Sequence, residues 1–147
     1  MAFTLPDEIL ARLSSQAVGS TNASSSGWLL VTRQFLPGTI GQSTRAQQIA
    51  VVPTGGHAWE PTENLDRPTF QVLVRGAYSP NQSSTGLEQK ITDVVTALCS
   101  SALIGFTIKS RRYIDVQKQG EMLFLGRDDN NRPIYGQNFL AWRSRST

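Results

Sequence analysis

The chain has 147 residues, a net charge of +3 and a single cysteine. That length suits one domain, spanning 1–147, around one hydrophobic core, and a lone cysteine excludes an intrachain disulfide and fits a reducing compartment. No apolar run approaches the roughly 20 residues that cross a bilayer. The start, MAFTLPDEIL, also lacks the basic and apolar regions of a signal peptide, so the expectation is a protein made in the cytosol without a membrane partner.

The first predicted element is a short helix over 5–13. Thr4 can cap it, Pro6 falls in the first turn where a missing N–H costs little, and Asp7 and Glu8 suit the positive end of the dipole. Ser, Thr, Asn and Gly then dominate 14–27, the signature of a surface connection. GWLLVTRQFLPG reads as a first strand, ended by Pro37 and Gly38, and QQIAVV as a second, stopped at Pro53. The segment 54–67 is punctuated by Gly55, Gly56 and Pro61 and reads as a long loop.

TFQVLVRG is the clearest strand, with Phe70, Val72 and Val74 on one face and Gln71, Leu73 and Arg75 on the other. After a loop over 77–85 comes the strongest helix. Thr85 and Glu88 have capping-box spacing, and Leu87, Ile91, Val94, Val95, Leu98 and Ala102 recur at helical period. FTIKS and YIDVQ read as two short strands around Arg111 and Arg112, or as one irregular strand. EMLFLGRDDNNRPIYGQNFLAW reads as a hairpin whose DDNN turn tolerates left-handed conformations. In its second arm Ile134, Gly136, Asn138, Leu140 and Trp142 share one face, and Tyr135, Gln137, Phe139 and Ala141 the other. Neither face is cleanly apolar, which raises the question of what this strand touches. The order predicts an α+β domain with a mixed or mainly antiparallel sheet flanked by two helices.

Chemistry is sparse. His57 is the only histidine and Cys99 falls on the apolar stripe of the long helix, so neither a zinc site nor a cysteine nucleophile is indicated. GRDDNNRP lacks the glycine and glutamate positions of a calcium loop, and PTGGH and SSTGLEQK match no phosphate-binding pattern. Arg111 with Arg112, and Arg143 with Arg145, are basic pairs, and Trp142 beside Arg143 is the combination enriched at interface hot spots. A pI of about 9.4 comes from scattered basic residues and does not by itself indicate nucleic-acid binding. Several strands carry apolar residues on both faces, so one sheet face needs a partner.

The ordered series IAVVPTGG (49–56), RPTFQVLVRG (67–76), the amphipathic helix 87–102 and LFLGRDDNNRPIYGQNF (123–139) resembles the tail terminator, or tail-completion, proteins of long-tailed bacteriophages, also described as minor capsid or neck proteins. The resemblance implies a structural virion protein without catalytic site, cofactor or metal. It would form a homo-oligomeric ring, usually a hexamer, that caps the tail tube, ends tube polymerisation and joins the tail to the head connector or head-closure protein. It would act in the virion tail after assembly in the host cytoplasm, with genomic DNA passing through the lumen. Residues matching the family pattern are Arg75, Gly76, Gly126, Arg127, Arg132, Tyr135 and Asn138, and Trp142 and Arg143 join them as candidates for a subunit or tail-tube interface. A head-closure or connector adaptor of the neck is the alternative, followed by a small DNA-binding module; a small hydrolase lacks a credible nucleophile–base pair.

Overall fold

In a computed structural model of the chain, the described residues are 4–19, 28–35, 47–56, 65–76, 85–99, 105–109, 111–128 and 132–144. They contain two helices, α1 (Leu5–Ser15) and α2 (Thr85–Cys99), and the strands β1 (Leu29–Thr32), β2 (Gln48–Gly56), β3 (Leu65–Asp66), β4 (Pro68–Arg75), β5 (Phe106–Ile108), β6 (Arg111–Arg127) and β7 (Pro133–Ser144). The strands form one sheet in the order β1-β2-β4-β7-β6-β5, with β3 beside the end of β7. Only β1 and β2 run parallel; the other pairings are antiparallel. This is the α+β fold with a mixed sheet that the sequence predicts.

Both helices contribute to the same core. Ile9 and Leu13 of α1 and Ile91, Val94 and Leu98 of α2 meet Ile49, Val51, Phe70, Val72, Val74, Val116, Phe139 and Ala141 of the sheet. The alternation predicted for β4 is therefore the real one, and Phe70 stacks on Phe139 with ring centroids 5.2 Å apart. On the opposite face Leu29, Val31 and Ala50 make a smaller apolar cluster, with Phe35 and Leu73 against it. Thr4 starts α1 as expected: its N–H and hydroxyl both donate to Asp7 Oδ2, at 3.3 and 2.6 Å. The side chain of Thr85, read as the cap of α2, lies outside the described residues, as do His57, Trp59 and Arg145.

Four elements depart from the sequence reading. β3 lies inside the segment 54–67 read as a loop, where Leu65 and Asp66 pair with Ser144 and Arg143 at the end of β7. β1 has four residues, because Arg33 turns to φ 66 and leaves the extended region well before Pro37. β2 does not stop at Pro53. β1 ends opposite Val51, so beyond that point β2 is an edge strand, where proline is tolerated, and a register shift between Pro53 and Gly55 absorbs it. Most of the segment between β5 and the hairpin turn is one 17-residue strand, β6. It stays paired to β7 through irregularities between Tyr113 and Asp115, Gln119 and Leu123, and Phe124 and Gly126. Bulges of this kind let a longer strand accompany a shorter one while bending it.

The two faces of β7 follow the parity predicted. Tyr135, Gln137 and Phe139 stand opposite Val74, Val72 and Phe70 on β4, which places them on the helix side, while Gly136 and Asn138 stand opposite Leu73 and Gln71 on the other. Gln137 explains why that strand looks mixed. Its side chain is buried and its amide donates to the carbonyls of Gln119 and Gly120, both at 3.2 Å, and of Asn138 at 3.1 Å. A polar residue on the core face thus satisfies backbone oxygens of the β6 bulge.

Candidate functional site

The residues singled out from sequence separate into three places along β7. The first is the end of the sheet nearest the β6–β7 turn. There Arg132 donates from its backbone N–H to Asp128 Oδ1 at 2.9 Å and from Nε to Asp128 Oδ2 at 2.8 Å, while Asp128 N–H donates back to the Arg132 carbonyl. Arg75 places Nη1 3.8 Å from the same carboxylate and its guanidinium 4.9 Å from the Phe35 ring centroid. Both arginines are buried. Arg75 has its pKa lowered, first by burial and then by Arg132, with Asp128 acting the other way.

The same end holds Gly76, whose N–H donates to the Pro133 carbonyl and whose Cα lies so near Leu87 that a β-carbon would sit 3.0 Å from Leu87 Cδ2. Gly126 and Arg127 pair with Ile134 and Pro133, and Tyr135 touches Phe124 with ring centroids 5.3 Å apart. Six candidates, Arg75, Gly76, Gly126, Arg127, Arg132 and Tyr135, therefore come together here. Asn138 lies midway along β7, half-buried, opposite Gln71 and Gln119.

Trp142 and Arg143 lie roughly 25 Å away at the other end of β7, at about 3.3 Å per residue. Arg67 covers the Trp142 ring at 5.4 Å, and the indole Nε1 is buried with no hydrogen-bond partner among the described residues. Arg143 turns inward. Its Nη1 donates to Glu8 Oε1 at 2.8 Å and to the Tyr113 hydroxyl oxygen at 3.3 Å, and Tyr113 in turn donates to Glu8 Oε1 at 2.7 Å. Arg111 reaches Glu8 Oε2 at 3.4 Å. The two basic pairs of the sequence thus each send one arginine, Arg111 and Arg143, to a single carboxylate that is 1% exposed. The Tyr113 phenol is pushed up from its ordinary pKa by burial and then by its bond to Glu8, so it stays protonated.

Glu8, Asp128 and the apolar run on β6 are the participants that sequence reasoning missed. Glu8 was legible in principle: with Leu5, Ile9 and Leu13 it falls on the buried stripe of α1, and a carboxylate on such a stripe needs cationic partners. Leu123, Phe124 and Leu125 are 44%, 56% and 46% exposed. Their position follows from the length of β6, which β5 accompanies only from Arg111 to Tyr113.

A cleft between the end of α1 and α2 is lined by Gln16, Val18, Lys90, Asp93 and Ala97; the Lys90 Nζ donates to the Val18 carbonyl at 2.7 Å and lies 5.3 Å from the Trp28 ring centroid. Among the described residues no group of His, Cys, Asp and Glu is placed to hold a metal ion, and no helix is long and apolar enough to cross a membrane.

A two-helix mixed sheet in which Arg75, Arg111, Arg132 and Arg143 are bound into internal ion pairs, and whose longest strand shows apolar side chains to solvent, has the features of a structural assembly protein. The family model described as bacteriophage tail terminator protein matches residues 13–142. The chain therefore belongs to the bacteriophage tail terminator family and is a structural component of a phage tail, in a family that is not a class of enzymes. In fold it is similar to a chain from a structure titled "Virion of native gene transfer agent (GTA) particle", with a TM-score of 0.63, 11% identity, and coverage of 96% of this chain and 95% of that one. No curated protein matches the sequence.

Proposed function

We propose that the protein ends growth of the tail tube as a ring of identical subunits, a hexamer as the sequence resemblance implies, and joins the tube to the head connector or head-closure protein. The match to tail terminators across 13–142 carries this reading. Support comes from a virion chain of the same fold and from a sheet with unlike edges, β1 at one end and β5 with β6 at the other. A head-to-tail contact joins two different patches of each subunit and closes into a ring when the rotation between neighbours allows. The turn end, with Gly126, Arg127 and Tyr135 beside the exposed Leu123–Leu125 run, and the Trp142 end offer such patches. DNA passing through the lumen would meet scattered exposed cations such as Arg112 and Lys118, enough to ease passage without gripping.

The test is to complement a phage lacking this gene and to measure tails by electron microscopy. Tails of uncontrolled length without the protein, and of uniform length with it, support the reading. Uniform tube length in both cases, with a defect only in head attachment, would replace it with the neck-adaptor alternative.

A further inference from the structure

Arg132 is tied to Asp128 by its backbone as well as by its charge. Its N–H donates to Asp128 Oδ1 and its carbonyl accepts from the Asp128 N–H, so the β6–β7 turn is closed without the guanidinium. The side chain adds Nε on Asp128 Oδ2 at 2.8 Å. Arg75 Nη1 lies 3.8 Å from that same oxygen, so two guanidiniums approach one carboxylate. They repel: Arg132 lowers the pKa of Arg75, second only to burial, while Asp128 acts the other way. Arg132 also holds Nη1 buried with no hydrogen-bond partner among the described residues. A buried guanidinium with an unanswered donor is costly. This one can leave Asp128 without stranding it, because Arg75 stays beside the carboxylate.

The surroundings indicate what would receive it. The Asp128 side chain is 19% exposed, so the cluster meets the surface on its carboxylate side. The exposed Leu123–Leu125 run lies a few residues before it on β6. An apolar run beside a cation suits a protein surface, whereas a nucleic-acid backbone gains nothing from leucines and is held by rows of cations. Among protein groups, a carboxylate is the planar anion that accepts two parallel guanidinium donors. We infer that Arg132 exchanges ion-pair partners on assembly. In the isolated chain it rests on Asp128; in the tail its guanidinium turns outward to a carboxylate of an adjoining protein, and Asp128 is left to Arg75. The inference rests on the tail function proposed above and assigns to it one residue and the chemistry of one contact.

Carbodiimide coupling reads the partner, since it joins an amine to a carboxylate in contact with it. In isolated Arg132→Lys the product links positions 132 and 128. In tails complemented with this variant it links 132 to an aspartate or glutamate of a neighbouring polypeptide, which peptide masses identify as another copy or a different tail protein. A link to 128 alone in assembled tails overturns the inference. Association is measured separately, by sedimentation with tails purified from a phage lacking the gene, on variants shown to be folded by urea unfolding. Arg132→Gln lowers the affinity about thirtyfold. Asp128→Asn, which removes the internal competitor yet keeps an acceptor for the backbone N–H, does not lower it. Equal loss in both variants makes the ion pair structural only and overturns the inference. Binding of a short DNA duplex that disappears in Arg132→Gln also overturns it, by assigning the guanidinium to phosphate. Tails of uniform length that carry only the 128 link remove this inference and leave tail termination standing. A wild-type chain that never binds such tails removes the proposed function and this inference with it.

Discussion

Removing the Glu8 carboxylate tests how the molecule holds its first helix to the far side of the sheet. Glu8 sits between Arg143 at 2.8 Å, Arg111 at 3.4 Å and the Tyr113 hydroxyl at 2.7 Å. In Glu8→Ala both guanidiniums stay in a site with little water. Arg143 keeps Asp66 at 3.9 Å, on a side chain 30% exposed, which offsets only part of the loss. Breaking a buried pair from one side costs about 3–5 kcal/mol. For a chain of this size 1 kcal/mol moves the melting temperature by roughly 2–4 °C, so a fall of about 10 °C is expected. Calorimetry and urea unfolding on the isolated protein measure it. A control separates charge burial from packing: Glu8→Met with Arg111→Leu and Arg143→Met removes all three charges and should recover most of the stability. A Glu8→Ala protein within 1 kcal/mol of wild type, or a triple variant as unstable as the single one, would refute the account.

Gln137→Leu leaves the carbonyls of Gln119 and Gly120 without their donor, and should cost about 1–3 kcal/mol in urea unfolding while keeping the volume of the site. Leu123→Ser, at an exposed position, should change stability by less than about 0.5 kcal/mol yet lower assembly, read by the same tail-length assay. The Cys99 thiol is pushed up to about 11, chiefly by burial and then by Asp115. Its reaction with a thiol reagent at pH 8 should be well below that of an unfolded control. Because this raised pKa and that of Tyr113 favour the neutral forms, their contribution to stability is complete below the unfolded-state values, ~8.5 and ~10. It is lost as pH rises toward the folded values. Urea midpoints should therefore fall above about pH 9, and a midpoint still rising between pH 9 and 11 would contradict this.

How much was written in the chain is best seen element by element. The period-2 pattern of β4 and the helical stripe of α2 fixed which residues enter the core, because both are local geometric repeats that one face must bury. The parity of β7 was equally legible. What the sequence could not show is where a pattern is interrupted. Pro53 reads as a stop, yet β2 continues through it because β1 is too short to make that side of the strand internal. Gln137 reads as a flaw on an apolar face, yet it answers carbonyls exposed by a bulge in another strand.

The charged residues draw the line most clearly. As letters, Arg111, Arg132 and Arg143 are members of basic pairs or turns, and their type alone suits an exposed contact. In the fold two of them converge on Glu8 from sites more than a hundred residues away, and the third closes on Asp128 within its own turn. Sequence determined the faces, because side-chain direction repeats along a helix or strand. Only the tertiary structure decided which charges are spent inside the molecule and which apolar residues remain outside it, since both depend on strand lengths and register set by distant neighbours.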